Sequence, residues 1–205
     1  MNPQEQFWAG EFGDEYAKRS LGSVSANIAL FGRILARTED VRSVIEFGAG
    51  VGSNLQAFMQ LLPGAALTGI EINEKAFDRL GQFLAEVPHS PIHASMLDPA
   101  TPWGEYGLAF TKGVLIHIAP EDLPRAYEVL HRASSRYILV AEYYSPKPIE
   151  IEYRGHSARL WRRDFAGEML DRFNDLRLID YGFVYHRDPY PQDDLTWWLL
   201  SKGPL

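Results

Sequence analysis

The 205-residue sequence contains no cysteine, which excludes disulfide bonds, thiolate catalysis, cysteine-ligated zinc and iron–sulfur clusters. It also contains no apolar run close to the ~20 residues that a membrane-spanning helix needs. Basic residues are in the minority, since 20 lysines and arginines stand against 27 aspartates and glutamates, a net charge of −7. An acidic chain has no general electrostatic reason to hold a phosphate backbone. We therefore expect neither nucleic acid nor a membrane among its partners.

The N-terminal residues show no basic stretch followed by an apolar segment, so we expect no secretory signal and a cytoplasmic protein. Hydrophobic residues make up 46% of the chain and charged residues 23%, as in ordinary globular proteins. The length predicts one catalytic domain over 1–205, with N-terminal helices or a lid at 1–40 and a core at 41–205. We expect only small-molecule partners, and a monomer or homodimer.

Short apolar runs alternate with amphipathic helical segments along most of the chain. This alternation predicts an α/β, doubly wound, Rossmann-like fold with a mostly parallel seven-stranded sheet. Two late strands without a helix between them predict an antiparallel C-terminal hairpin. We predict strands at 43–47, 67–71, 91–97, 107–111, 137–141, 176–185 and 195–200, and helices at 24–35, 55–62, 74–87, 121–133 and 163–173.

A glycine-rich turn directly follows the first predicted strand and opens a helix. Its glycines are Gly48, Gly50 and Gly52, spaced Gly-x-Gly-x-Gly rather than Gly-x-Gly-x-x-Gly as in dinucleotide-binding turns. Such glycines let a ligand approach the backbone. Glu46 precedes them, and its charge suits a cofactor that carries an ammonium group better than a pyrophosphate.

Further candidates follow the second and third predicted strands. Glu71 ends the second strand, where a carboxylate can accept hydrogen bonds from both hydroxyls of a ribose. Asp98 follows the third strand, placed to meet an adenine amino group, with Met96 and Leu97 able to flank the ring. Asp98 could equally be a turn or helix-capping residue before Pro99.

This combination resembles the class I methyltransferases that bind S-adenosylmethionine, over roughly 42–142. The resemblance implies that the glycine turn and Glu46 hold the methionine end, Glu71 the ribose and Asp98 the adenine. The cofactor-binding candidates are Trp8, Glu46, Gly48, Gly50, Gly52, Asn54, Glu71, Ile72, Met96, Leu97, Asp98, Lys112, Gly113 and His117. His117 could instead be a buried histidine with a backbone partner.

Six other segments resemble a narrower group along nearly the whole chain, the pseudaminic-acid-biosynthesis-associated methylases, which include azetidine-2-carboxylate synthases. The segments lie at 7–13, 111–118, 141–146, 153–157, 163–168 and 181–188. The resemblance implies an enzyme that cyclises S-adenosylmethionine to azetidine-2-carboxylate and releases methylthioadenosine. This is the first hypothesis for the reaction. A methyltransferase acting on a small amine or sugar precursor is a near-equal second, and a non-catalytic cofactor-binding protein a third.

The candidate catalytic residues are aromatic or acidic side chains near the expected carboxyl end of the sheet or in the lid: Tyr16, Glu142, Tyr143, Tyr144 and Tyr185. Aromatic faces can hold a sulfonium cation, although each ring could simply pack in the core. Arg154 and Arg163 belong to the one basic cluster and could anchor a substrate carboxylate, or lie on a solvated helix face. The six histidines show no zinc-ligand spacing, so we expect no metal.

Overall fold

The computed structural model describes residues 1–19, 23–84 and 91–203. Its strands are β1 (Ser43–Phe47), β2 (Ala66–Glu71), β3 (Ile92–His93), β4 (Tyr106–Lys112), β5 (Ser134–Glu142), β6 (Ile149–Tyr153), β7 (His156–Arg162), β8 (Leu176–Val184) and β9 (Leu195–Lys202). Seven of them form one sheet in the order β3-β2-β1-β4-β5-β9-β8. Only β9 runs against its neighbours, β5 and β8. The predicted Rossmann-like fold, with its antiparallel C-terminal hairpin, is confirmed.

Helices cover both faces of this sheet. They are α1 (Pro3–Ala9), α2 (Glu11–Arg19), α3 (Val24–Leu35), α4 (Ser53–Leu61), α5 (Glu74–Leu84), α6 (Leu123–Ala133) and α7 (Phe165–Arg172). Leucine and phenylalanine side chains of α3, α4 and α5 form one hydrophobic cluster with the sheet. Side chains of α6 and α7 form the other cluster on the opposite face. Both faces of the central strands are therefore buried, which explains why β5 is almost continuously apolar. Within the described ranges, no helix is both long and apolar enough to cross a bilayer.

The N-terminal segment forms two short helices, α1 and α2, which are called the lid helices below. Asn2 begins α1 with a reciprocal capping box, because its side chain accepts from the Glu5 backbone and the Glu5 carboxylate accepts from the Asn2 backbone. The Asn2 amide also donates to Asp122 at 2.7 Å, which fixes the start of α1 beside α6. The division of 1–205 into a lid at 1–40 and a core at 41–205 stays a prediction.

Most predicted boundaries differ from the structure by three residues or fewer, and the largest difference is in the third strand. The third strand is predicted over 91–97 but contains only Ile92 and His93. It ends early because the chain then turns, and the Asp98 backbone donates to the Ser95 carbonyl at 3.1 Å. The predicted helix over 74–87 reaches Leu84, and its predicted last turn lies outside the described residues.

A separate two-stranded sheet formed by β6 and β7 is absent from the sequence-based prediction. Its tight turn passes through Arg154 and Gly155, both with positive φ (51° and 82°). The alternative of a solvated helix face for the basic cluster is therefore wrong, because this segment is a β-hairpin. The alternation of isoleucine and glutamate in Ile149–Tyr153 is a period-two signal that could have revealed it.

Candidate functional site

A cavity of about 240 Å³ lies at the carboxyl ends of β1, β2 and β4. The strand order reverses between β1 and β4, and ligands of open α/β sheets bind at such a switch point. The cavity walls come from the turns that follow these three strands, from the short segment after β3 and from the two lid helices. Segments far apart in the sequence therefore share one small-molecule-sized site.

The glycine turn forms the floor of this cavity. Gly48, Gly50 and Gly52 have φ values of 76°, 54° and 88°, a conformation that other residues rarely adopt. The backbone nitrogens of Gly48 and Ala49 both donate to the Ile70 carbonyl, at 2.8 and 2.9 Å, which fixes the turn on β2. A Cβ built on Gly50 meets no atom within 4 Å. The turn thus leaves open space directly over its backbone.

Glu71 joins the glycine turn to the end of β2. Its carboxylate accepts from the Gly50 backbone at 2.7 Å and from the Asn73 backbone at 2.8 Å. Burial raises the pKa of Glu71, and these backbone donors act in the opposite direction. Each carboxylate oxygen has a further lone pair for a donor, so Glu71, which lines the cavity, could accept from the hydroxyls of a ribose.

Glu46 and Asn54 form a buried corner that contains unused hydrogen-bond acceptors. Glu46 is fully buried, and its Oε1 accepts from Asn54 Nδ2 at 2.6 Å. Glu46 Oε2 and Asn54 Oδ1 are also buried, and neither has a partner among the described residues. Burial raises the pKa of Glu46 to about 8. Asn54 lines the cavity, whereas Glu46 is not among its described lining residues. Because buried acceptors are normally paired, a ligand with several N–H donors, such as an ammonium group beside Asn54, would suit this corner.

Lys112 brings an amine to the cavity wall. It ends β4, next to β1, which carries Glu46. Burial lowers the pKa of Lys112, whereas Glu46, Asp193 and Glu142 raise it. Among the described residues that line the cavity, Lys112 is the only lysine or arginine. Gly113 follows with φ 68° and also lines the cavity.

His117 lines the cavity from a 3₁₀ turn (Leu115–His117) that follows β4. Its Nδ1 lies 2.7 Å from the carbonyl oxygen of Arg159. A carbonyl only accepts, so Nδ1 carries the proton. Burial lowers the pKa of His117 to about 4, so the ring is neutral at pH 7. Nε2 is then an acceptor, and it is the ring nitrogen left for a bound molecule.

An aromatic cluster connects the lid to this turn and to the β6–β7 hairpin. The Trp8 ring lies 4.6 Å from His117 and 5.4 Å from Tyr16, and His117 lies 4.8 Å from Tyr153. Phe12 lies 5.8 Å from Tyr153. Trp8 and Tyr16 line the cavity. Trp8, Tyr16 and His117 therefore share the cavity wall, and Phe12 and Tyr153 pack against Trp8.

Part of the cavity wall is apolar. Met96 and Leu97 are buried, and both line the cavity together with Ile72. Asp98 is not among the described lining residues of this cavity. Its carboxylate accepts from the Ala100 backbone at 2.9 Å and from the Thr101 hydroxyl at 3.3 Å. These contacts are those of a turn aspartate, and a role for Asp98 in binding adenine stays a prediction.

Glu142 is fully buried beneath the 3₁₀ turn and not among the described lining residues. Its carboxylate accepts from the backbones of Val114 (3.1 Å), Leu115 (3.0 Å) and Ile116 (3.3 Å). Burial raises its pKa to about 7, and the backbone donors oppose that shift. These contacts hold the turn that carries His117. A catalytic role for Glu142 stays a prediction, and no contact in the structure supports it.

Three predicted catalytic tyrosines lie outside the described cavity lining. Tyr143 is half-buried, with a pKa raised to about 12 mainly by burial, and the Arg162 guanidinium lies 5.4 Å from its ring. Tyr144 is 43% exposed and packs 5.7 Å from Trp198. Tyr185 is exposed beyond the end of the edge strand β8.

The two predicted carboxylate anchors have other contacts. The Arg163 Nε donates to Glu168 at 2.7 Å. Arg154 is exposed in the turn of the hairpin, and its guanidinium lies 5.7 Å from the Tyr153 ring. Neither arginine is among the described residues that line the cavity, and their assignment as anchors stays a prediction.

Sequence patterns missed several residues that organise the site. The amide of buried Gln4 donates to the His117 carbonyl at 3.1 Å and accepts from Arg159. The Asn73 amide donates to Asp14 of α2 at 2.9 Å. Buried Asn27 accepts from Gln192 at 3.1 Å, which attaches the β8–β9 loop to the cavity wall. Single amides carry no periodic signal, so only the folded chain reveals these links.

No protein-family model and no curated protein matches the chain. Solved structures do match. An S-adenosylmethionine-dependent methyltransferase from Leishmania major has a TM-score of 0.69 and 18% identity, covering 87% of this chain and 72% of that one. The 1,6-didemethyltoxoflavin N1-methyltransferase of Burkholderia thailandensis, with its substrate and S-adenosylhomocysteine bound, has a TM-score of 0.71 and 16% identity, covering 98% and 87%.

The magnesium protoporphyrin IX methyltransferase of Synechocystis, with S-adenosylhomocysteine bound, has a TM-score of 0.67 and 13% identity, covering 97% of this chain and 98% of that one. The chain has the fold of the class I methyltransferases. At these identities the likeness shows the fold alone. Within the described part of the chain, no group of three histidines or carboxylates is arranged to hold a metal ion.

Proposed function

We propose that the protein binds S-adenosylmethionine in this cavity and is a methyltransferase that acts on a small molecule. The observation that carries the proposal is the Glu46–Asn54 corner, whose two unused buried acceptors suit the ammonium of an amino-acid end. Glu71, the open space over Gly50 and the apolar wall of Met96 and Leu97 support a ribose and an adenine beyond it. The solved structures of the same fold include small-molecule methyltransferases with S-adenosylhomocysteine bound.

When bound, S-adenosylmethionine supplies a methyl group activated by a sulfonium. The residues of the chain would hold and orient the reactants and exclude water from them, the main contributions expected where binding brings two groups together. Trp8 and Tyr16 present aromatic faces to the cavity, and such faces attract a sulfonium cation. The acceptor class we propose is a small amine or sugar precursor.

Cyclisation of S-adenosylmethionine to azetidine-2-carboxylate is the second candidate. One observation favours it: three segments that resemble the cyclase group meet in the aromatic cluster, since Trp8, His117 and Tyr153 pack against one another. Trp8 and His117 line the cavity, and Tyr153 packs against both.

Incubation with S-adenosylmethionine alone, followed by mass spectrometry, separates the two candidates. Methylthioadenosine together with azetidine-2-carboxylate would establish cyclisation and exclude methyl transfer as the main activity. We expect unchanged S-adenosylmethionine in this first incubation, and S-adenosylhomocysteine once amines and sugar precursors are offered. A wild-type protein that binds neither S-adenosylmethionine nor S-adenosylhomocysteine would overturn both candidates.

A further inference from the structure

Exposed apolar side chains are concentrated on β8, which forms one edge of the seven-stranded sheet. Nine large hydrophobic side chains are exposed in the described part of the chain. Five of them lie on β8 or in the loop after it: Leu178, Tyr181, Phe183, Tyr185 and Tyr190. Because soluble monomers rarely expose such residues in one patch, a patch of this kind marks a candidate protein interface.

Tyr181, Phe183 and Tyr185 form an aromatic stripe on one face of this edge. Alternate residues of a strand point to the same face, and the rings of Phe183 and Tyr185 lie 6.5 Å apart. Tyr181 pairs with Trp198 of β9, which belongs to the cluster that α6 and α7 cover. Tyr181 and Phe183 are nevertheless 64% and 55% exposed. The helices that cover the rest of this face therefore stop short of the stripe.

The backbone of β8 is also open along its outer edge. β8 pairs with β9 on one side, and no described strand pairs with its other side. The segment 181–185 contains no charged residue and no proline, two features that protect sheet edges from pairing. The bulge of β8 lies before this segment, between Leu178 and Asp180. The edge at 181–185 is therefore able to accept a further strand.

The segment 181–185 is complementary to itself. When two copies pair antiparallel with Phe183 opposite Phe183 of the other copy, Tyr181 of each copy lies opposite Tyr185 of the other. All six rings then share one face of the joined sheet, where aromatic side chains on opposite strands attract each other. On the other face, Gly182 lies opposite Val184, so no side chains collide there.

The charges around the segment allow this contact. A net charge of −7 would oppose the approach of a second copy at most acidic surfaces. The ionisable residues that flank the segment are already paired within the chain. Asp180 accepts from Arg37, and His186 lies beside Asp194, each at 2.9 Å. The edge of β8 thus offers a neutral, apolar surface to another copy.

We propose that the protein forms a homodimer in which the β8 strands of two copies pair antiparallel about a two-fold axis at Phe183. The two seven-stranded sheets then form one continuous sheet. This dimer does not depend on the proposed function, and it places Tyr185 in an interface instead of a catalytic site. Six half-exposed rings of ~150–250 Å² each would bury of the order of 600 Å² before the strand backbone is counted. That is the low end for a specific interface, so we expect micromolar dissociation.

Sedimentation velocity of the full chain, over micromolar to hundred-micromolar concentrations, tests the dimer. We expect wild type to reach twice the mass of one chain. Phe183→Arg should stay monomeric with the circular dichroism spectrum of wild type, because it places like charges opposite each other. Tyr190→Arg makes the same change at an exposed tyrosine of the β8–β9 loop and should dimerise as wild type does. A monomeric wild type, an open-ended aggregate, or a dimer that Phe183→Arg leaves intact would overturn the proposal.

Cysteine cross-linking tests the register, because the chain has no cysteine of its own. Phe183→Cys should form a disulfide between two copies on mild oxidation, since opposite Cα atoms lie ~4.5–5.5 Å apart, within disulfide range. Tyr181→Cys is similarly exposed but would lie ~13 Å from its own copy. It should stay unlinked alone and should link when mixed with Tyr185→Cys. Failure of Phe183→Cys to link, or equally rapid linking of Tyr181→Cys to itself, would overturn the proposed pairing.

Discussion

At the scale of single residues, the glycine turn gives the most direct test of where a ligand lies. Gly50 and Gly64 both have positive φ (54° and 84°), and a Cβ on either meets no atom within 4 Å. Substitution by alanine therefore carries the same backbone cost at both positions, roughly 1–2 kcal/mol. The two glycines differ in their position relative to the cavity: Gly50 lines it, whereas Gly64 lies in the turn between α4 and β2.

We expect Gly50→Ala to weaken the binding of S-adenosylhomocysteine at least ~10-fold, because its methyl group enters the space over the turn, next to the backbone N–H that donates to Glu71. Gly64→Ala should bind as wild type does, while both variants lose similar stability to urea. Equal binding by the two variants would show that the ligand does not contact the glycine turn.

Glu46 couples the stability of the ligand-free protein to pH. Its pKa is raised from 4.5 to about 8 by burial, so between these pH values the folded state binds more protons than the unfolded state. The free energy of unfolding therefore falls as pH rises through this window. Glu46→Gln removes the titrating group while keeping its shape.

We expect Glu46→Gln to match wild type within ~1 kcal/mol in urea unfolding at pH 5 and to exceed it by about 3–5 kcal/mol at pH 8.5, because the pKa rises from 4.5 to about 8 and each pKa unit corresponds to ~1.4 kcal/mol. The same variant should bind S-adenosylhomocysteine at least ~10-fold more weakly, because an amide nitrogen that only donates replaces one carboxylate oxygen that could accept from the ammonium. If the difference in unfolding free energy between Glu46→Gln and wild type stayed constant with pH, the raised pKa of Glu46 would be contradicted.

At the scale of elements, the lid depends on close packing at Gly13. A Cβ on Gly13 would lie 1.8 Å from the Trp8 carbonyl oxygen and 2.9 Å from the Asn73 amide nitrogen. The same helix is held to α5 by the Asp14–Lys75 ion pair and by the Arg79 guanidinium, which donates to the Ala17 carbonyl at 2.8 Å. A larger residue at position 13 would displace α1 or α2 and would strain these polar contacts.

We expect Gly13→Ala to weaken S-adenosylhomocysteine binding at least ~10-fold and to speed proteolysis within residues 1–19, because Trp8 and Tyr16 leave the cavity wall. Gly81→Ala is the control, since a Cβ at Gly81 in α5 meets nothing within 4 Å and should stabilise the helix by about 0.5–1 kcal/mol. Wild-type affinity and wild-type resistance to protease in Gly13→Ala would show that the lid is not part of the site.

The helices and strands of the sheet domain were largely predictable, because the spacing of apolar residues along the sequence reflects which side chains are buried. The continuous apolar run of β5 and the three- and four-residue spacing in α3 follow directly from their packing in the core. The β6–β7 hairpin was missed because its turn uses Arg154 before Gly155, and arginine is not a residue that indicates a turn with positive φ.

The chemistry of the site was predictable only in part. Glu71 and the glycine turn lie at the ends of strands in a recognisable order, and the structure brings them together at one cavity, with Glu46 bonded to the lining residue Asn54. Glu142 shows the limit of this reasoning. Its position at a strand end predicts a catalytic residue. In the structure its carboxylate instead accepts from backbone N–H groups of a 3₁₀ turn, and no spacing in the sequence reveals that contact.

At the scale of the whole molecule, the cavity depends on parts that come from both ends of the chain. The lid supplies Trp8, β1 and β2 supply the glycine turn and Glu71, and the β8–β9 loop reaches Asn27 through Gln192. The six strands that share one direction present their carboxyl ends to this side. A ligand that contacts all these parts should stabilise the whole fold, as binding to the native state alone requires.

The measurement that tests the central proposal most directly is a calorimetric titration of the wild-type protein with S-adenosylhomocysteine and, separately, with NAD⁺. We expect one S-adenosylhomocysteine to bind per chain and NAD⁺ to give no binding heat, because Glu46 and Asn54 offer buried acceptors to an ammonium where a dinucleotide would bring a pyrophosphate. Binding of NAD⁺ without S-adenosylhomocysteine, or of neither, would contradict the assignment of this cavity.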